Sequence, residues 1–190
     1  MTTDPLGAVE WPLRTDRLTL RRGTEPDLEA IWAYRRDPAV TRWLSAAPGT
    51  LAEHRASFIE RGHLDQMIMV ERDGTVVGDT MIRIEDAYAQ HEIAERARGT
   101  QAELGWTLDP AYGGRGYATE AVRALVDLCF GPLGLRRVVA LCFADNEPSW
   151  RLMERLGMRR EQHLVRESLH RSGEWVDAYG YALLAEEWPR

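Results

Sequence analysis

Residues 103–120 read Glu103-Leu104-Gly105-Trp106-Thr107-Leu108-Asp109-Pro110-Ala111-Tyr112-Gly113-Gly114-Arg115-Gly116-Tyr117-Ala118-Thr119-Glu120, and the rest of the chain is read outward from them. The run 103–108 alternates as a strand does, and Asp109-Pro110 breaks it because proline cannot donate to a ladder. Over 118–130 the apolar residues Ala118, Ala121, Val122, Leu125, Val126 and Cys129 recur at spacings of three and four, one stripe of a helix. Strand, glycine-rich turn, helix is an arrangement with chemical consequences. The first N–H groups of a helix have no partner inside it, and its dipole places partial positive charge there. Glycines let a phosphate approach the main chain, and Arg115 adds formal charge. This turn is built for a phosphorylated ligand.

Three phosphate-binding patterns compete for it. A P-loop requires Lys followed by Ser or Thr after its last glycine, where Tyr117 and Ala118 stand. A dinucleotide fingerprint requires Gly or Ala where Thr119 sits and an acidic residue closing the next strand, near Cys142, where none occurs. The remaining pattern is the acetyl-CoA loop of the GNAT superfamily of N-acetyltransferases, and residues 110–121 resemble it. Gly116-Tyr117-Ala118 matches the end of that signature; Gly113 stands where Gln or Arg is usual, a departure common in the branch of ribosomal-protein N-terminal acetyltransferases. The resemblance implies that Gly113, Gly114, Arg115, Gly116, Tyr117, Ala118 and Thr119 hold the cofactor's phosphates. It also implies that main-chain N–H groups of Trp106, Thr107 and Leu108 bind pantetheine and polarise the thioester.

A second stretch, Asn146-Glu147-Pro148-Ser149-Trp150-Arg151-Leu152-Met153-Glu154-Arg155-Leu156-Gly157-Met158, is similar to the family's segment after the fifth strand. There Asn146 and Ser149 face the sulfur end of the cofactor. On a helix Asn146, Ser149 and Met153 share one face. Taken alone, Asn146 reads as a helix cap and Ser149 as a first-turn polar residue.

The remaining elements follow in chain order. Residues 13–22 read as a first strand. Thr24 caps a helix with Pro26 in its first turn, which Asp37-Pro38 ends. Thr50 and Glu53 form a capping box for a second helix whose apolar stripe is Leu51, Phe58 and Ile59, stopping near Gly62. Strands at 66–72 and 75–84 flank an Asp73-Gly74 hairpin turn. Residues 85–100 carry no apolar periodicity and read as a long mobile loop. A strand at 137–143 precedes a helix ended by Gly157, and strands at 158–169 and 175–184 close the chain. The fold class expected is α/β (α+β), a mixed sheet. The resemblance, over residues 14–188, makes this the GNAT acyl-CoA N-acyltransferase fold. That fold is a mostly antiparallel sheet of about seven strands with about four helices, splayed between its fourth and fifth strands.

Moving an acyl group from a thioester to an amine requires a deprotonated amine, a stabilised carbonyl oxygen and a proton for the departing thiolate. Glu103 matches the position of the family's general-base glutamate, and a partly dry cleft raises a carboxylate pKa into the useful range. Its plain alternative is a polar residue opening a half-exposed strand. Many relatives carry Tyr where Met153 stands, so Ser149 or a water is left to serve the sulfur. Cys142 lies close in sequence, but His54, His63, His91, His163 and His170 are all remote from it. Direct transfer is expected, with no metal, since no histidine shows a ligand spacing.

At 190 residues the chain is expected to form a single domain, 1–190, with acetyl-CoA as co-substrate. The N-terminal Met1-Thr2-Thr3-Asp4-Pro5 lacks the regions of a signal peptide, no apolar run is long enough to span a bilayer, and Cys129 and Cys142 read as reduced core thiols. A cytoplasmic protein is expected. A net charge of −6 without a basic cluster argues against nucleic acid as a partner. Two acceptor classes stay open: a protein or peptide N-terminus, which the branch resemblance favours, and a small cationic amine such as an aminoglycoside or polyamine. A non-catalytic acyl-CoA-binding module is the reading from another class, and the branch admits a homodimer.

Overall fold

The computed structural model describes Asp4 and residues 6–60 and 62–189. The reading of the N-terminus at Met1, Thr2, Thr3 and Pro5 therefore lies outside the described residues. The strand order is β1-β2-β3-β4-β5-β6-β8-β7, and the described pairings are antiparallel except for β5 with β6. The chain divides into two compact units, one from Met1–Ile82 and Trp106–Ala124, the other from Arg83–Gly105 and Leu125–Arg190.

In the first unit β1 (Leu13–Arg14) and β2 (Thr19–Arg22) form a hairpin. The single strand expected over 13–22 is split because Thr15 turns the chain: its N–H donates to Leu18 O, and Leu18 N–H donates to its hydroxyl. β2 pairs with β3 (Met67–Arg72), and β3 with β4 (Thr75–Glu85). Asp73 and Gly74 both take positive φ, as the expected two-residue hairpin requires. Three helices belong to this unit: α1 (Asp27–Arg35), α2 (Pro38–Thr41) and α3 (Leu51–Glu60). α1 is not capped by the Thr24 hydroxyl; the Asp27 carboxylate accepts from both Thr24 N–H and Oγ1 while gripped by Arg21. The short α2 was not expected, and the Asp37 carboxylate caps it by accepting from Ala39 N–H. The Thr50–Glu53 capping box is present in both directions.

The stripe of α3 differs from expectation. Phe58 is buried as expected, but Ile59 is 48% exposed, and His54, one turn before Phe58, faces inward. Phe58 joins Leu28, Ile31, Tyr34, Met67 and Met69 in a buried cluster. Each such side chain contributes about 1.5–3 kcal/mol on burial.

The second unit holds the start of β5 (Gln101–Leu108), β6 (Arg137–Phe143), α5 (Glu147–Arg155), β7 (Arg159–Leu169) and β8 (Trp175–Leu184), with the second half of α4 (Tyr117–Phe130). β5 and β6 pair in parallel over Gln101–Arg137, Ala102–Val138 and Glu103–Val139. Both strands continue beyond those pairs, the pattern expected of a splayed junction. Leu125, Val126, Cys129, Val138, Ala140, Leu152 and Met153 supply its core. Residues 85–100 are more structured than expected. β4 runs to Glu85, a 3₁₀ segment spans His91–Ala97, and Asp86 Oδ1 accepts from Gly99 N–H at 2.8 Å. Among the described residues eight strands and five α-helices result, against about seven and about four expected, because β1–β2 is a hairpin and α2 is an additional turn.

Candidate active site

The first unit carries the glycine loop. α4 starts at Tyr117, so the N–H groups of Tyr117, Ala118 and Thr119 have no acceptor within the helix. Gly114 and Gly116 hold φ of 72° and 80°, a region that side chains resist. Gly113 sits at φ −62°, which any residue adopts, although a Cβ there would lie 3.2 Å from Pro110 O. The loop is tied down from behind. Arg17 Nη1 donates to Arg115 O at 3.0 Å, and its Nε donates to Glu120 Oε2 at 2.7 Å. Burial works against the Glu120 charge, yet hydrogen bonds from Thr15 and Arg17 hold its carboxyl below the usual range. The Tyr117 ring, 3% exposed, lies between the guanidiniums of Arg17 and Arg72, and Arg72 Nη1 donates to its hydroxyl. Tyr117 therefore offers a ligand its backbone rather than its phenol, and Arg115 is exposed.

Ahead of the loop, β5 changes phase. Ala102 and Leu104 are buried at even positions, and Thr107 at an odd one. Gly105 and Trp106, both half-buried, lie between the two phases. Gly78 of β4 lies so near that a Cβ there would sit 2.6 Å from Thr107 O. Behind Thr107 is a network that sequence reading did not find. Asp79, 3% exposed, accepts from the Tyr34 hydroxyl at 2.6 Å and from Arg35 Nε at 3.1 Å, and Arg35 Nη2 reaches Thr107 Oγ1 at 3.3 Å. Burial and the Asp79 charge keep Tyr34 protonated well above its ordinary pKa.

The second unit carries Glu103, Cys142, Asn146 and Ser149. The Glu103 side chain is 21% exposed and ion-paired to Arg83, which also bonds Glu85 at 2.8 Å. Burial raises the Glu103 pKa; Arg83 opposes that shift and Glu85 adds to it. Asn146 sits at the N-cap of α5, but its side chain makes no capping bond, so the amide is not spent on the helix. Burial pushes the Cys142 thiol up to about 11, against a hydrogen bond from Ser149 and the charge of Arg160. A thiol at that value is protonated at neutral pH and a poor nucleophile. Met153 is fully buried in the core.

Arg17, Glu120, Arg35 and Asp79 were not among the site residues read from the sequence, because the partner of each lies far away in the chain. Comparison with known proteins identifies the family. The family described as acetyltransferase (GNAT) domain matches residues 17–159. An uncharacterised N-acetyltransferase of Bacillus subtilis strain 168, YnaD, is 30% identical over 177 residues, covering 93% of this chain and 98% of that protein. A shorter stretch of 88 residues, 46% of this chain and 48% of the other, is 34% identical to the putative ribosomal N-acetyltransferase YdaF of the same organism. The crystal structure of a GNAT-family acetyltransferase from Bacillus anthracis superposes with a TM-score of 0.78 at 30% identity, covering 93% of this chain and all of that one.

Proposed function

The chain belongs to the GNAT acetyltransferase family and is an N-acetyltransferase; on that footing we propose that it moves an acetyl group directly from acetyl-CoA to the N-terminal amine of a protein or peptide. The observation that carries the cofactor half is the loop at the start of α4. Positive φ at Gly114 and Gly116, unpartnered N–H groups of Tyr117, Ala118 and Thr119, and the charge of Arg115 suit a pyrophosphate. In this reading Gly113 passes the chain into the turn, Trp106, Thr107 and Leu108 offer main-chain N–H groups to pantetheine, and Asn146 and Ser149 serve the thioester end.

Chemistry follows from the groups present. Glu103, drier than an ordinary surface carboxylate, takes one proton from the acceptor ammonium. The freed lone pair attacks the thioester carbon, and the oxygen's growing charge is met by β5 N–H groups. The C–S bond breaks with its electron pair going to sulfur. The nitrogen's second proton ends on sulfur, giving amide, thiol and one proton released to solvent. Ser149 hydrogen-bonds the sulfur, because a hydroxyl is too weak an acid to protonate it outright. The relative YdaF, a putative ribosomal N-acetyltransferase, supports a protein acceptor, and the acidic charge of −6 is compatible with a small cationic amine as the second reading.

Free-thiol release from acetyl-CoA is the deciding assay, run against peptides with free N-termini, aminoglycosides and polyamines. Release dependent on the peptides supports this proposal. Release with a small amine alone replaces the acceptor, and absence of acetyl-CoA binding overturns the assignment of the loop.

A further inference from the structure

The first unit contains a cavity of about 70 Å³ lined by Arg35, His54, Ser57, Phe58, His63 and the segment 44–48. It was not part of the sequence reading. About 10–15 Å³ of such space suffices for one water, so the cavity accommodates several waters or a small functional group. His54 is 2% exposed, its ring packed at 5.3 Å from that of Trp32 and 4.8 Å from that of Phe58. Its Nε2 is buried with no hydrogen-bond partner among the described residues. A buried polar atom left unpaired costs about 1–3 kcal/mol, so its persistence calls for a reason.

The wall chemistry selects the ligand. Among the described residues none lining the cavity is acidic; Arg35, His54, His63 and the serines Ser45 and Ser57 line it instead. Asp79, which neutralises Arg35, is not among the lining residues. Burial holds His54 down at about 4, and the Arg35 charge adds to that effect more than Asp79 relieves it. The imidazole is thus neutral near pH 7, and its Nε2–H tautomer can donate into the cavity. Such a lining offers hydrogen-bond donors and no carboxylate of its own, so it suits a group that brings acceptor oxygens.

Position ties the cavity to the transfer chemistry. Arg35 forms part of its wall and also donates to Thr107 Oγ1 at 3.3 Å, on the segment of β5 assigned to the thioester. We propose that this cavity receives a carboxylate carried by the acceptor close to its reacting amine, with His54 Nε2–H and the Arg35 wall as its recognition elements. The inference rests on the acyl-transfer reading and narrows its acceptor. Two sources present this chemistry: a free α-amino acid, or an acidic side chain at the start of a peptide. A carboxylate group fits the volume.

Acceptor pairs that differ only in the charge test it. Thiol release is measured with L-alanine against L-alaninamide, and with the tripeptide Asp-Ala-Ala against Asn-Ala-Ala, the C-termini amidated. At least a tenfold higher kcat/KM for one carboxylate member, carried by KM, is expected. Preference in the first pair identifies the free amino acid, and preference in the second the acidic N-terminus. His54→Phe, which keeps an aromatic ring between Trp32 and Phe58, should bring the preferred member down to its neutral counterpart. Equal kcat/KM within both pairs, or a preference that survives His54→Phe, overturns the proposal.

A second measurement needs neither turnover nor the variant. Protein labelled with ¹⁵N-histidine is titrated with sodium acetate at pH 7, and the buried imidazole resonance is followed. A saturable shift of that resonance, not reproduced by sodium chloride, supports the site; no shift up to high millimolar acetate overturns it. If acetyl-CoA does not bind at all, the acyl-transfer reading fails separately while the titration still decides the cavity.

Discussion

Replacing Asp79 with Asn tests the buried network directly, because it removes one charge and almost no volume. The Asp79 carboxylate accepts from Tyr34 and twice from Arg35, and it is 3% exposed. An amide keeps a single acceptor oxygen and turns an NH₂ toward donors. Arg35 then stays charged at a buried site without its counter-ion. Breaking a buried pair from one side costs about 3–5 kcal/mol. For a chain of this size each kcal/mol lowers Tm by roughly 2–4 °C, so a fall of about 6–20 °C is expected. Urea and thermal unfolding at pH 7 measure it, with an unchanged m-value showing that the unfolded reference is the same. The combined variant Tyr34→Phe, Arg35→Met, Asp79→Leu supplies the control. Replacing all partners with apolar groups of similar size should recover most of the loss, since burying the charges was itself costly. A cost below about 1 kcal/mol for Asp79→Asn, or a triple variant as unstable as the single one, would refute the reasoning.

Other expectations concern the loop, the base and an exposed network. Gly116→Ala forces a side chain to φ 80°, a strain of about 1–2 kcal/mol, so the acetyl-CoA Kd should rise roughly 5–30-fold by calorimetry, while Gly113→Ala at φ −62° should change it little. Glu103→Gln should lower kcat by roughly 10²–10⁴-fold with acetyl-CoA affinity retained; a non-catalytic binding module would show no acceptor-dependent turnover in either protein. Arg83→Met removes the charge that opposes the rise in the Glu103 pKa, so the acid limb of the kcat/KM profile should move to higher pH; an unmoved limb contradicts the base assignment. Glu161 is held at about 2, first by its hydrogen bond from Arg137 and, against burial, by Arg159. Its folded pKa lies below the ordinary 4.5, so its stabilisation is complete above 4.5 and is lost as pH falls toward about 2. Glu161→Gln should flatten the stability profile in that window, and an unchanged slope in acid titration of unfolding would count against it.

Much of the fold was legible because it is written locally. Asp73-Gly74 takes the positive φ pair of a two-residue hairpin, Thr50 and Glu53 lie three residues apart and close their own capping box, and Gly157 ends α5 at φ 79°. Misreadings arose where a distant partner overruled a local rule. Asp27, rather than Thr24, organises the start of α1 because Arg21 of β2 holds its carboxylate. On α3, Ile59 is the more apolar residue, but the pocket between Trp32 and Phe58 admits the flat ring of His54.

The candidate site divides along the same line. By itself the sequence determined the strand, the glycine turn and the helix of 103–130, and with them the N–H groups left open at the start of α4, because backbone conformation there depends on neighbours within a few residues. Tertiary structure alone decided that Asp79 and Arg35, 44 residues apart, neutralise each other behind Thr107. It also decided that His54 is buried with an unpaired nitrogen in a wall without acid. Charge, burial and hydrogen-bond satisfaction are properties of a side chain's surroundings, and those surroundings exist only once remote segments have packed together.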